Sequence, residues 1–74
     1  MKLKDCKIGE SIIVENIDLE SDYCFRLREI GITEGVSLKV CQTCTFGGKV
    51  IAKGTERIGI DAKLANAITV KRAE

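Results

Sequence analysis

The chain has no histidine, no proline and no tryptophan, and only three aromatic residues, Tyr23, Phe25 and Phe46, among its 74. Without an imidazole there is no general base that titrates near neutral pH and no nitrogen ligand for a metal. That removes Ser/His and Cys/His nucleophilic arrangements and every zinc set that contains histidine. Charge of one sign is lacking too, since 12 Lys and Arg stand against 11 Asp and Glu for a net charge of +1. Nucleic-acid recognition draws on clustered cations and stacking rings, so no nucleic-acid partner is expected. The longest apolar runs, Ile12-Ile13-Val14 and Val50-Ile51-Ala52, fall far short of the ~20 residues that span a bilayer. The opening MKLKDC matches a lipoprotein start only at Leu3 and Cys6, because Lys4 and Asp5 fill the small-residue positions and no apolar stretch precedes them. No direct membrane insertion and a cytoplasmic address are the expectation.

What is present favours folding. Hydrophobic residues make up 45% and charged residues 31% of the chain, without the lopsided charge that keeps a polypeptide disordered. At this length two hydrophobic cores cannot form, so residues 1–74 are expected to be a single domain. Four cysteines, Cys6, Cys24, Cys41 and Cys44, fit a reducing compartment where they stay free thiols.

Periodicity divides the chain into short elements. Ser11 to Glu20 is rich in β-branched residues, with Ile13, Ile17 and Leu19 sharing one parity, and reads as a first strand. The period then changes: Tyr23, Leu27 and Ile30 fall at helical spacing with Cys24 beside them, which predicts a short amphipathic helix. Ser21 or Asp22 would cap its start. Gly31 would end it in a left-handed turn that brings Leu27 and Ile32 together. Val36, Leu38 and Val40 alternate inward on a second strand after a turn at Gly35. Gly47-Gly48 forms a hairpin turn before a third strand in KVIAKG, and ERIGID gives a fourth with Ile58 and Ile60 inward. AKLANA, capped by Asp61, reads as a helical turn, and ITVKR closes the chain with Ile68 and Val70 inward. The fold class is therefore all-β: a small, closed or nearly closed five-stranded barrel, with one short helix after the first strand and a helical turn before the last.

The chemistry-bearing candidates are few. Cys41 and Cys44 have the CxxC spacing of a metal chelate, and Fe2+ or Zn2+ is the ion two thiols would take. On a continuous strand, however, residues i and i+3 face opposite sides, and only a turn from about Gln42 would bring both sulfurs to one ion. A redox role would need a helix starting at the pair, and no helical pattern follows Cys44. Gly48-Lys49 fails the phosphate-loop pattern, since Thr43 stands at the first glycine position and Val50 at the Ser/Thr position. No enzyme and no required cofactor are expected. Arg26, Arg28 and Glu29 on the helix are either a solvated face or part of a docking surface.

RLREIGITEGVSLKV resembles the ferrous iron transport protein A (FeoA) family, whose signature is a basic helix running into Leu-x-x-Leu-Gly, a hydrophobic residue, Pro-Gly and a strand. Leu27, Ile30, Gly31, Ile32, Gly35, Val36 and Val40 occupy the matching positions, and IGIDAKLANAITV is similar to the family's ending. The chain departs from the pattern at Glu34 in place of proline, at Gly48-Lys49 in place of Gly-Asp-Pro, and at Asp61 in place of arginine. The resemblance implies an SH3-like β-barrel acting in the cytosol as an accessory to the ferrous iron permease FeoB, whose soluble part is a GTPase. It also implies kinship with barrels that end iron- and manganese-responsive repressors. The alternative is a small transition-metal-binding or metal-sensing protein using Cys41 and Cys44.

Overall fold

Residues 1–73 are described by a computed structural model. Five strands, β1 (Ser11–Ile17), β2 (Ser37–Thr43), β3 (Lys49–Lys53), β4 (Glu56–Ile60) and β5 (Ile68–Arg72), form one antiparallel sheet. Helix α1 (Ser21–Glu29) follows β1, and the short helix α2 (Ala62–Ala67) precedes β5. A 3-10 turn, Leu3–Asp5, opens the chain. The strand order is β4-β3-β2-β1-β5, and no pairing joins β4 to β5 among the described residues. The fold is a small SH3-like barrel whose ladder stops short of closing. On its far side β5 is met instead by the N-terminus, through Lys2 opposite Thr69 and a bond from the Val70 N–H to the Met1 carbonyl.

The core takes one face of every strand: Ile12 and Val14 from β1, Leu38 and Val40 from β2, Ile51 from β3, Ile60 from β4, and Ile68 and Val70 from β5. Each fully buried aliphatic side chain contributes about 1.5–3 kcal/mol. The open side is sealed by Leu3 and Cys6 near the N-terminus, Ala65 of α2, Leu27 of α1 and Ile32. Leu3 and Cys6, matched in sequence only to a failed lipoprotein signal, are thus core residues.

Several expectations are corrected. β1 ends at Ile17, and its inward residues are Ile12 and Val14 instead of Ile13. The register shift between Val14 and Asn16 is the cause: an extra residue resets parity, so that Ile17 pairs with Ile68 and packs on the core. Helix α1 buries only Leu27, while Tyr23 is 39% and Ile30 44% exposed. Its N-cap is Glu20, with no side-chain cap bond from Ser21 or Asp22. Of the two hairpin glycines only Gly47 has positive φ. Gly48 is needed for another reason, since a Cβ there would lie 2.9 Å from the Ile60 carbonyl oxygen.

The helix endings follow the local chemistry. Gly31, at φ +89°, donates to the Arg28 carbonyl at 3.0 Å, and Ile32 donates to the Leu27 carbonyl at 2.8 Å. This is the paired 5→2 and 6→1 pattern of a Schellman ending, with its C3 and C″ residues, Leu27 and Ile32, both buried. Asp61 caps α2, its Oδ1 accepting from the Leu64 N–H at 2.8 Å.

Candidate functional site

Helix α1 is nine residues long with a single buried side chain, which leaves its surface to be divided between its neighbours. On the side toward α2, Tyr23, Leu27, Ile30 and Leu64 line a shallow groove with Arg26 and Asp61 at its margin. The Lys63 ammonium lies over the Tyr23 ring, 5.3 Å from its centroid, a cation–π contact that ties the two helices at the surface. On the other side, Phe25, 61% exposed, shares a depression with Leu19, Cys24 and Arg28. The expected trio is therefore split: Arg26 faces the α2 groove and Arg28 the opposite flank. Glu29 is exposed and lines neither. Cys24 is half-buried, its thiol 3.4 Å from the Leu19 carbonyl.

The signature residues build this surface. Leu27 and Ile32 are anchored in the core, Ile30 is the exposed C-cap, and Gly31 turns the chain away. Gly35, at φ +90°, lets its N–H reach the Val14 carbonyl at 2.7 Å, tying the segment after α1 to β1.

The thiol pair lies elsewhere. Cys41 is half-buried within β2 and Cys44 exposed just beyond it. The turn begins at Cys44, whose carbonyl accepts from Gly47 at 3.0 Å. It does not begin at Gln42, the position at which a turn would have brought the sulfurs together. Cys44 borders a cleft with Phe46, Val50, Gly59, Asp61 and Ala62. All four cysteines are free, and no group of three His, Cys, Asp or Glu side chains gathers among the described residues.

One feature escaped the sequence reading. Lys49 is only 4% exposed, and its ammonium donates to the Cys6 carbonyl at 2.8 Å and to Thr43 Oγ1 at 3.0 Å. It ties the N-terminal segment to the β2–β3 hairpin without a carboxylate partner. The signal was available: Lys49 shares inward parity with Ile51. Burial pushes the neighbouring Cys6 thiol pKa above its ordinary value, with the Glu10 carboxylate adding and the Lys49 charge opposing. Glu10 is held below the usual carboxylate range by the Lys7 N–H at 2.6 Å and by Arg72, the partner in the chain's surface ion pair at 3.2 Å.

No helix among the described residues is long and apolar enough to cross a membrane. The chain is 25% identical to the FeoA protein from Chlorobium tepidum, whose solution structure superposes with a TM-score of 0.90 over all of this chain and 71% of that one. A crystal structure of an iron uptake regulatory protein (FeoA) is 26% identical, with a TM-score of 0.85 over 99% of this chain and 96% of that one. The metal-dependent transcriptional regulator MtsR, 18% identical, shares the fold with a TM-score of 0.86; this chain, matched over 99% of its length, spans 34% of that one. A search of curated proteins finds no match. The FeoA domain model matches residues 1–72, almost the entire length, and the chain belongs to the FeoA domain family.

Proposed function

We propose that this protein is a non-enzymatic accessory of ferrous iron uptake that works in the cytosol by docking on the soluble GTPase part of the ferrous iron permease FeoB. The reading is carried by the family match over residues 1–72. The form of α1 supports docking: a helix that buries one residue and exposes Tyr23, Phe25 and Ile30 beside two arginines has the aromatic and arginine content from which interface hot spots are drawn. The groove toward α2, with Arg26 at its margin, is the favoured surface; Arg28 lies on the opposite flank and Glu29 lines neither depression. Docking of this kind needs no cofactor.

The test is titration of isotope-labelled protein with the soluble part of the permease. Amide resonances of Tyr23, Arg26, Ile30 and Leu64 are expected to move, and Ile30→Asp, an exposed substitution, is expected to weaken binding at least tenfold. Unmoved resonances at high partner concentration would count against the reading, as would full affinity in the variant.

A further inference from the structure

In an unbroken strand Cys41 and Cys44 would point to opposite sides of the sheet. The ladder between β2 and β3 is broken. Lys39 pairs with Ala52 and Val40 with Ile51, whereas Gln42 pairs with Val50 and Thr43 with Lys49. Cys41 is therefore an inserted residue with no partner of its own. Val40 and Ile51 are buried, and the Thr43 hydroxyl meets the buried Lys49 ammonium on that same inner side. Cys41, next to inward Val40, lies on the outer face; so does Gln42 opposite Val50; so does Cys44, one step past inward Thr43. The bulge places on one face a pair that alternation would separate.

Both thiols are free, Cys44 exposed and Cys41 half-buried, and among the described residues the Cys41 thiol makes one long hydrogen bond, 3.8 Å to the Lys39 carbonyl. With no third ligand gathered beside them, the described residues offer an ion these two sulfurs and no more. We propose that Cys41 and Cys44 are half of a tetrahedral four-thiolate site for Zn2+ or Fe2+, completed by the same pair on a second copy of this chain.

Two thiolates leave half of a tetrahedral sphere open, and a second identical pair across a two-fold axis fills it. Each thiol releases its proton to solvent as it binds, so no oxidant or reductant takes part. A divalent ion with four thiolates keeps an excess of negative charge. Lys39 is exposed and in register with Ala52 on the same outer face, and one copy from each chain supplies the compensating charge. Phe46, 92% exposed beside Cys44 on the lip of the cleft, is the apolar surface such an assembly would cover. The inference does not depend on permease docking.

Anaerobic titration of the intact protein with Co2+, a spectroscopic substitute for zinc and iron, tests it alongside sedimentation. Expected are the visible bands of tetrahedral cobalt–thiolate, saturation at one ion per two chains and doubling of mass with metal. Cys41→Ser and Cys44→Ser, each shown to keep the wild-type amide spectrum, should lose the bands, and Cys24→Ser should keep them. Absence of thiolate bands in the wild type overturns the site. Bands that survive in the double Cys41→Ser/Cys44→Ser variant overturn its assignment. Saturation at one ion per monomer, or a dimer that forms equally without metal, overturns the shared sphere.

Discussion

Replacing Gly31 with alanine tests the helix ending from which the candidate surface hangs. Gly31 sits at φ +89°, where an L-residue loses roughly 1–2 kcal/mol relative to glycine. A Cβ there would also lie 2.5 Å from Lys53 Nζ and 2.9 Å from its Cε. These atoms end a flexible, half-buried side chain that can swing aside, so the steric share is small and backbone strain dominates. The total is a loss of about 1–2 kcal/mol, which in a domain of this size lowers Tm by roughly 4–16 °C. Gly59→Ala is the internal control, because Gly59 lacks positive φ and has no atom within 4 Å of an added Cβ; it is expected to be neutral or stabilising by about 0.5 kcal/mol. Gly31→Asn should fall between wild type and Gly31→Ala, since asparagine tolerates left-handed backbone better. Urea unfolding at equal m-value is the assay. If Gly31→Ala and Gly59→Ala unfold at the same midpoint, the Schellman ending contributes nothing and the reasoning fails.

Asp61→Ala removes the side-chain acceptor of the Leu64 N–H and should cost about 0.5–2 kcal/mol by the same assay; an unchanged midpoint would mean that α2 is held by Ala65 packing alone. Glu10, whose folded pKa is depressed by the Lys7 N–H and Arg72, contributes stability that is present above the ordinary carboxylate range and lost as pH falls through its lowered folded value. Wild type should therefore exceed Glu10→Gln at neutral pH, with the gap closing on acidification and shrinking in high salt because the pair with Arg72 is solvent-exposed. A gap independent of pH would exclude the carboxylate as its source.

Five strands, two helices and their order were legible in the sequence because the signals were local: alternation in Val36, Leu38 and Val40, glycine at Gly31, an acidic cap at Asp61. Leu27, Gly31 and Ile32 could be joined into one helix ending since a single backbone geometry demands all three. Facing was misread in β1, where a bulge intervenes: Ile13 shares the parity of Ile17, yet Ile12 and Val14 are the buried residues. No residue type announces a bulge, which depends on the partner strand. Tyr23 and Ile30 sit at correct helical spacing yet are exposed, because periodicity identifies a stripe but not whether the neighbouring element covers it. Arg26, Arg28 and Glu29 were legible as part of a basic helix, whereas their division between two flanks required the placement of α2.

The buried lysine and the thiol pair are linked through register. Lys49 has two acceptors, the Cys6 carbonyl and the Thr43 hydroxyl, and hydrogen bonds to a charged group contribute about 1.5–3 kcal/mol each. Thr43 faces inward because Cys41 is inserted one residue after Val40. Were Cys41 paired directly, every later residue of β2 would change face: the Thr43 hydroxyl would leave the Lys49 ammonium, which would be buried with one acceptor fewer. The alternative register is thus penalised by an under-solvated charge. The same bulge carries Cys44 to the outer face beside Cys41. A buried lysine with no carboxylate partner among the described residues therefore holds in place the bulge that sets both thiols on one face.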